Sequence, residues 1–259
     1  MVGHESELTY KSGAELAPLI ARGELSPRDL VRASLDRISQ LDSSLNAFID
    51  VWEEESLSIA SIAEKDIAGG RYLGPLHGIP IGIKDLIDVE GTPTTGGSKV
   101  LADNVASSDA TVTTNLKAAG AIIIGKLNLV EFAFGTTGLN PATGDVKNPW
   151  DTTRITAGSS SGSGAAVASG MIQAALGTDT GGSVRMPASL CGIAGLKPTY
   201  GRISRAGVLD LSWSMDHVGP MARTTEDCAL MMNVLAGHDP RDAASSSALV
   251  PDFTSEIAR

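Results

Sequence analysis

The sequence predicts an α/β fold in which helices cover a β-sheet, and two observations support that prediction. Apolar runs typical of buried strands, at 79–85 (IPIGIKD) and 121–125 (AIIIG), alternate with helix-like segments such as 109–120 (DATVTTNLKAAG). Strands that alternate with helices form a sheet with the helices packed over it. With 42% hydrophobic and 19% charged residues, the 259-residue chain also has enough aliphatic material for a substantial core.

The N-terminal region, residues 1–70, is predicted to be mainly helical. A capping-box pattern begins one helix at Ser12, and an N-cap pattern begins a second at Ser26. The segment 46–51 (NAFIDV) has the pattern of a short strand. Residues 53–70 have the pattern of a helix that ends at a pair of glycines.

The core region, residues 71–240, continues the alternation of strands and helices. Besides the segments above, we predict helices at 128–135, 161–170, 183–192 and 224–237, a strand at 172–179, and a loop at 135–150. The last stretch, 241–259, has no periodic pattern and is predicted to be loop-like. We expect the three parts to form a single domain.

Composition excludes several functional classes. A net charge of -10 and the lack of Lys and Arg clusters argue against direct nucleic-acid binding. Cys191 and Cys228 have neither metal-ligand spacing nor the number expected of a disulfide scaffold, which favours a reducing compartment. There is no secretory signal pattern and no run of roughly 18 apolar residues that would span a membrane. We therefore expect a cytoplasmic protein without membrane attachment.

Two other patterns are not expected to bind a ligand. GAIIIGK (120–126) has the spacing of a phosphate-binding loop, but its interior is aliphatic and Leu127 stands where a Ser or Thr would bind magnesium. His4 and His77 are isolated, and no grouped His and carboxylate spacing is present. We expect no metal and no cofactor.

A third pattern, GSSSG (158–162), matches the nucleophile elbow of α/β-hydrolases with Ser160 as the nucleophile. Its histidine partner would be His217 or His238. An elbow requires an apolar strand that runs directly into the turn, whereas the segment before Gly158 is polar. This interpretation is therefore disfavoured.

Lys84 is a candidate base because it ends the apolar run IPIGIK and would be carried into the protein interior. A buried lysine loses solvation, and its pKa can fall by several units from the ordinary ~10.4. A neutral lysine can accept a proton from a serine where no histidine is available. From position alone, a solvated lysine at the end of a strand remains the alternative.

The segment GSSSGSGAAVASGMIQAALGTDTGGSVRMPA (158–188) closely resembles the amidase signature family of serine hydrolases. Further segments carry the same resemblance along almost the entire chain: LIARGELSPRDLV (19–31), LHGIPIGIKDLIDVEG (76–91), GAIIIGKLNLVEFAFG (120–135), GLKPTYGRISRAG (195–207) and AGHDPRD (236–242). The resemblance implies a mixed β-sheet covered by helices on both sides. It also implies that 71–240 is the catalytic core.

The resemblance further implies a catalytic set of Lys84, Ser159 and Ser183. In that family a nucleophilic serine, here Ser183, attacks the amide carbon. A second serine, here Ser159, follows a cis peptide bond and relays the proton to the lysine. Ser160 is expected to hold Ser159 by a hydrogen bond, and Arg185 is expected to anchor the loop that carries the nucleophile.

The oxyanion of the reaction is expected to be bound by backbone N–H groups. Those of Thr180, Gly181, Gly182 and Ser183 are the candidates, because glycines leave room for the substrate carbonyl and an oxyanion hole needs donors that point into the pocket. Ala157 departs from the family, which usually has glycine there. The family's chains are also much longer, which implies that the C-terminal half of the fold is missing from this sequence.

Three functions remain open from the sequence. The leading one is a stand-alone amidase that hydrolyses a small-molecule carboxamide to an acid and ammonia or an amine through an acyl-serine intermediate. The alternative is the A subunit of a glutamyl-tRNA amidotransferase, in which case a B-type subunit would be its partner. The third is a catalytically inactive remnant. A homodimer is possible for the stand-alone enzyme.

Overall fold

A computed structural model describes residues 8–257, with a six-stranded mixed β-sheet at the centre. Its strands are β1 (Phe48–Val51), β2 (Pro80–Lys84), β3 (Ile122–Leu127), β6 (Ala174–Asp179), β7 (Ala194–Gly195) and β8 (His217–Ala222), and a separate hairpin contains β4 (Lys147–Asn148) and β5 (Asp151–Ile155). Across the sheet the order is β1-β3-β2-β6-β8-β7. β2 pairs in parallel with β3 and with β6, and the other pairs are antiparallel. The predicted mixed sheet is confirmed.

Helices lie on both faces of the sheet. In chain order they are α1 (Gly13–Ala21), α2 (Pro27–Leu45), α3 (Glu53–Ala68), α4 (Thr111–Ala118), α5 (Ser161–Ala168), α6 (Arg185–Cys191), α7 (Thr225–Leu235) and α8 (Phe253–Ile257). One buried cluster joins α1, α4 and α7 to side chains such as Ile81 and Ile83 of β2. A second cluster joins α2, α3, α5 and α6 to side chains such as Ile122 and Ile124 of β3. Because side chains alternate along a strand, each face of the sheet has its own apolar layer.

The helix starts follow the predicted caps. The Ser12 hydroxyl accepts the Glu15 N–H, and the Glu15 carboxylate accepts the Ser12 N–H, which completes a capping box. Ser26 caps α2, and the Thr224 side chain caps α7. Each cap satisfies an N–H group that the first turn of a helix would otherwise leave without an acceptor.

The central strands bring the site together. β2, β3 and β6 are parallel neighbours, so their carboxyl ends meet at one edge of the sheet. β2 ends at Lys84, and β6 ends at Asp179, four residues before Ser183. The helices α5 and α6 begin within two residues after Ser160 and Ser183.

The predicted helix at 128–135 is wrong. Only a single 3-10 turn forms there, at Glu131–Ala133, and Phe132 and Ala133 have positive φ angles of 50° and 58°. Tertiary hydrogen bonds hold this segment, because the Phe132 N–H donates to the Gly96 carbonyl oxygen and the Val130 N–H donates to that of Ser159. These contacts override the local helical pattern.

The strand predicted at 46–51 is confirmed as β1, and it joins the central sheet, so 1–70 contributes a strand to the core as well as helices. Two further segments differ from the sequence prediction. The hairpin of β4 and β5 extends from the predicted loop 135–150 into the polar segment after it. The C-terminal stretch that is predicted to be loop-like contains the short helix α8. The Asp252 carboxylate caps this helix, because it accepts the N–H groups of Thr254 and Ser255.

Candidate active site

Lys84 lies at the end of β2 and is fully buried. Its Nζ atom is 2.8 Å from Ser159 Oγ, 3.0 Å from Ser160 Oγ and 2.8 Å from Thr178 Oγ1. Three hydroxyl groups therefore surround the amine, and each of them can act as a donor or an acceptor. The sequence predicted Lys84 and the two serines, but Thr178 was not among the predicted residues.

Burial lowers the pKa of Lys84 from its ordinary 10.5 to about 7, while the carboxylates of Asp179 and Asp216 act in the opposite direction. An amine with a pKa near 7 exists in both forms at neutral pH, and such a group can accept a proton and later return it. The lowering of the Lys84 pKa that the sequence predicted therefore results from the burial of its side chain.

Ser159 is fully buried and follows a cis peptide bond, Gly158-Ser159. Its carbonyl oxygen accepts the Val130 N–H at 3.1 Å. Ala157, one position earlier than Gly158, has a φ of 61° in the left-handed region that glycine adopts most easily. A glycine would fit this backbone with less strain, which is consistent with the family's usual residue there.

Ser160 binds Thr178 as well as Lys84. Its hydroxyl donates to the Thr178 carbonyl oxygen at 3.1 Å and accepts the Thr178 N–H at 3.1 Å. The structure contains no hydrogen bond between the side chains of Ser160 and Ser159 within residues 8–257, so the expected bond between them is wrong. Ser160 instead links Lys84 to β6, because its hydroxyl binds both Lys84 Nζ and the Thr178 backbone.

Ser183 follows β6 after a Thr-Gly-Gly turn and is 6% exposed. Its carbonyl oxygen accepts the Ser160 N–H at 3.2 Å, which places the Ser183 backbone beside the other two serines. Among residues 8–257 its hydroxyl makes no hydrogen bond. This hydroxyl is thus free to meet a substrate.

The turn before Ser183 is held by the Asp179 carboxylate. It accepts the N–H groups of Gly182 at 2.8 Å and Val184 at 3.1 Å, and it binds the Arg185 guanidinium at 3.0 and 2.9 Å. Burial raises the pKa of Asp179, but these hydrogen bonds, led by those from Arg185, outweigh burial and hold the pKa below its usual value. Arg185 thus contacts the turn through Asp179.

This arrangement changes the set of predicted oxyanion donors. The Gly182 N–H points to Asp179 and is not available to a substrate. Those of Thr180, Gly181 and Ser183 donate to no protein acceptor in the described part of the chain. A side chain at Gly181 would meet no atom within 4 Å, so this position borders open space.

Comparison with known proteins identifies the family. A sequence model described as Amidase matches residues 29–259. The chain belongs to the amidase family. The A subunit of glutamyl-tRNA(Gln) amidotransferase from Chloroflexus aggregans is 49% identical over 252 residues, which make up 97% of this chain and 52% of that relative.

The fold of this chain is similar to those of solved amidase structures. Native peptide amidase from Stenotrophomonas maltophilia has a TM-score of 0.91 at 37% identity, covering 95% of this chain and 53% of the other. The A subunit of glutamyl-tRNA(Gln) amidotransferase from Thermotoga maritima has a TM-score of 0.76 at 40% identity, covering 86% and 47%. The chain therefore spans about half the length of the relatives it matches.

Within the part of the chain that the structure describes, the other motifs noted in the sequence do not form ligand or catalytic sites of the kinds considered above. GAIIIGK forms the buried strand β3. His217 Nδ1 lies 3.1 Å from the Asp179 carbonyl oxygen and its Nε2 lies 3.2 Å from Lys197 Nζ, so this ring is engaged away from Ser160. His77 is buried and its Nδ1 accepts the Leu73 N–H. His4 lies outside the described residues.

The described residues offer no site of two other types. Residues 8–257 contain neither a group of three or more His, Cys, Asp or Glu side chains suited to a metal ion nor a helix long and apolar enough to cross a membrane. Cys191 and Cys228 are buried, and burial raises the pKa of each thiol to about 12. A thiol of that pKa is a poor nucleophile at neutral pH.

Sequence reasoning missed Thr178, Asp179 and Asp216. Asp216 accepts a hydrogen bond from the Thr180 hydroxyl and so ties the turn to the segment that precedes β8. The sequence did contain a signal for Asp179. An acidic residue that directly precedes Thr-Gly-Gly-Ser, and that lies six positions before Arg185, can bind both the backbone of the turn and the arginine. Asp216 had no local signal, because it lies 36 positions from its partner.

We expect Asp179→Asn to lower the free energy of unfolding by roughly 2–4 kcal/mol, because it removes a buried charge that accepts several hydrogen bonds. The loss should show as a shift of the urea midpoint at pH 7. Since the Asp179 pKa is lowered in the folded state, this stabilisation is present above the unfolded pKa of about 4 and is lost as pH falls below it.

Asp151→Asn is the matched control. Asp151 also binds an arginine, Arg154, at 3.0 Å, but its side chain is 42% exposed. Solvent screens an exposed ion pair, so we expect a much smaller shift of the urea midpoint for this variant. Equal shifts in the two variants would contradict the role given to Asp179.

Proposed function

We propose that this chain carries the active site of an amide hydrolase that works through an acyl-Ser183 intermediate. The observation that supports this most strongly is the 2.8 Å contact of a buried Lys84, with a pKa of about 7, to Ser159 Oγ. A lysine in this state can serve as the base that a serine nucleophile needs. No histidine is required.

The proposed reaction begins when Ser183 Oγ attacks the amide carbonyl carbon. The Ser183 proton passes to Ser159 Oγ while the Ser159 proton passes to Lys84 Nζ. When the C–N bond breaks, the same relay returns a proton to the leaving nitrogen. Water then attacks the acyl ester and releases the acid and Ser183.

The developing negative charge would lie at the turn after β6. The N–H groups of Thr180, Gly181 and Ser183 are its candidate donors, since that of Gly182 is bound to Asp179. A preorganised donor of this kind is worth about 3 kcal/mol in the transition state. The Asp179 carboxylate would keep these donors in place.

Similarity favours the amidotransferase interpretation of the substrate over the stand-alone one. Relatives named as the A subunit of glutamyl-tRNA(Gln) amidotransferase reach 49% and 50% identity, against 37% for the peptide amidase. We therefore propose glutamine as the amide that is hydrolysed, with ammonia as the product, and we propose that the partner is a B-type subunit. Hydrolysis of another carboxamide by a stand-alone enzyme is the second candidate.

The first experiment tests the nucleophile with a small alkyl fluorophosphonate. We expect one phosphonyl group per chain, added to Ser183 with loss of fluoride, by intact mass and peptide mapping. A folded chain that takes up no label would contradict the proposed function.

The second experiment tests the substrate by measuring ammonia release. We expect release from glutamine to exceed that from peptide amides, and to increase when a B-type subunit of a related amidotransferase is added. Hydrolysis of peptide amides that is faster than that of glutamine and independent of such a partner would favour the stand-alone amidase.

A further inference from the structure

A second buried lysine lies one strand away from Lys84. Lys126 is on β3, and its side chain is 2% exposed. Its Nζ atom donates to the Ile87 carbonyl oxygen at 2.8 Å and to Thr94 Oγ1 at 3.0 Å, and it lies 3.4 Å from Asp85 Oδ1. The proposed reaction gives this ammonium group no role, although burying a charge is costly unless it is paired.

The two lysines lie on opposite faces of the sheet. Lys126 is opposite Ile83 in the parallel pairing of β2 and β3, one position before Lys84. Successive side chains on a strand point to opposite faces. The two side chains therefore make no direct contact, and an effect of Lys126 on Lys84 would have to pass through the backbone.

The partners of Lys126 belong to the turn that follows Lys84. The N–H groups of Leu86 and Ile87 both donate to the Lys84 carbonyl oxygen, at 2.7 and 3.0 Å. Lys126 binds the carbonyl oxygen of Ile87 at the other end of this turn. Its ammonium group thus closes the turn from which the Lys84 side chain extends.

Asp85 extends the same network to the loop 94–97. One oxygen of its carboxylate accepts the N–H of Thr95 at 3.0 Å and also the Thr95 hydroxyl, and its carbonyl oxygen accepts the Gly96 N–H at 2.9 Å. Its other carboxylate oxygen makes no hydrogen bond within residues 8–257 and faces Lys126. The charge of Asp85 is thus compensated from β3.

We infer that Lys126, with Asp85, is a positioning residue for Lys84, because it fixes the turn 84–87 and thereby holds Lys84 Nζ against Ser159. This inference rests on the proposed function, and it adds a residue from outside the reacting set. Neither residue touches the reacting atoms.

Loss of Lys126 should change both the position of Lys84 Nζ and the pKa of Lys84. Without it the buried Asp85 charge is uncompensated, the turn loosens, and Lys84 Nζ moves from the three hydroxyls and meets water. Weaker desolvation raises the pKa of Lys84 toward its ordinary value, and the negative charges of Asp179 and Asp216 act in the same direction. Loss of the Lys126 charge would by itself also raise that pKa, so a variant that keeps both charges is needed to separate positioning from charge.

The test measures the rate of Ser183 labelling by the alkyl fluorophosphonate from pH 5 to pH 10 in Lys126→Met. We expect labelling at pH 7 to be roughly 10- to 100-fold slower, which is the scale for a displaced catalytic group. We also expect the midpoint of the pH dependence to move upward. Thr94→Val, which removes one partner and keeps both charges, should give smaller changes in the same directions.

Lys117→Met is the matched control, because Lys117 forms an ion pair with Asp109 at 2.8 Å but is 43% exposed. Its rate and midpoint should equal those of the unmodified chain. If Lys126→Met does not fold, Thr94→Val, which keeps both charges, decides the question by the same readout.

Unchanged labelling in folded variants would overturn the inference, and so would a slower rate with an unshifted midpoint. Either result would leave the proposed function intact if the unmodified chain is labelled at Ser183. No labelling of the unmodified chain at any pH would instead contradict the proposed function, and the inference with it.

Discussion

Ser183→Ala is expected to abolish covalent labelling by a fluorophosphonate and to reduce amide hydrolysis by roughly 10⁴-fold or more, the scale seen when a serine nucleophile is removed. The reason is chemical, because no other group in the proposed site can form the acyl bond. Ser159 and Ser160 are fully buried and hydrogen-bonded to Lys84. Ser183 has the free hydroxyl. Intact mass and the rate of ammonia release would measure the two losses.

Ser161→Ala is the control for this variant. Ser161 is also buried in the same serine-rich segment, and its hydroxyl has no hydrogen-bond partner within residues 8–257. Removing an unsatisfied buried hydroxyl costs little and can be stabilising. Labelling that persists in Ser183→Ala at the rate of the control would place the nucleophile at another residue.

Lys84→Met is expected to slow labelling and hydrolysis by roughly 10³-fold or more, since it removes the base while keeping an unbranched side chain of similar length. The pH dependence identifies the cause. In the unmodified chain the rate should rise as pH increases through about 7, because only neutral Lys84 accepts the proton. The residual rate of the variant should lack that transition, and a pH-independent rate in the unmodified chain would contradict the role of Lys84.

The same substitution should raise stability at pH 7. The pKa of Lys84 is about 7 in the folded chain and near its ordinary 10.5 in the unfolded chain, so unfolding takes up a proton between these values. The cost of burying Lys84 is therefore full at pH 7 and below, and it disappears as pH rises to about 10.5. After allowance for lost hydrogen bonds, we expect a gain on the order of 2 kcal/mol.

Urea unfolding at pH 7 and pH 10 would measure this gain and its disappearance. Lys117→Met, at an exposed site, should show neither. An active-site residue that reduces stability is expected where function requires a buried charge. A variant less stable than the unmodified chain at pH 7 would mean that the hydrogen bonds of Lys84 outweigh its desolvation.

Local signals in the sequence determined the helix starts and the two most apolar strands. The caps at Ser12, Ser26 and Thr224 act within one turn of a helix, so three or four residues are sufficient to specify them. The apolar runs of β2 and β3 are buried over their whole lengths, which such patterns predict. The position of each proposed catalytic residue also follows from a segment that resembles the family.

The strand β8 shows what such signals could not predict. It contains Gly219 and Pro220, both of which are unfavourable in strands, and yet it lies between β6 and β7. The Pro220 carbonyl oxygen still accepts the Leu196 N–H at 3.0 Å, and the strand is kept by its neighbours. The segment 128–135 is the converse case, since contacts with Gly96 and Ser159 prevent a helix.

The sequence by itself thus determined the fold class, the apolar strand that carries Lys84, and the three residues proposed for the chemistry. Only the tertiary structure showed that Lys84 binds Thr178, 94 positions later in the sequence, and that the Asp179 carboxylate accepts the N–H of Gly182. It also showed that Lys126 on β3 pairs with Asp85, the residue directly after β2. The reason is physical, because caps and apolar periodicity act over a few residues, whereas these contacts depend on the order and register in which distant strands pair.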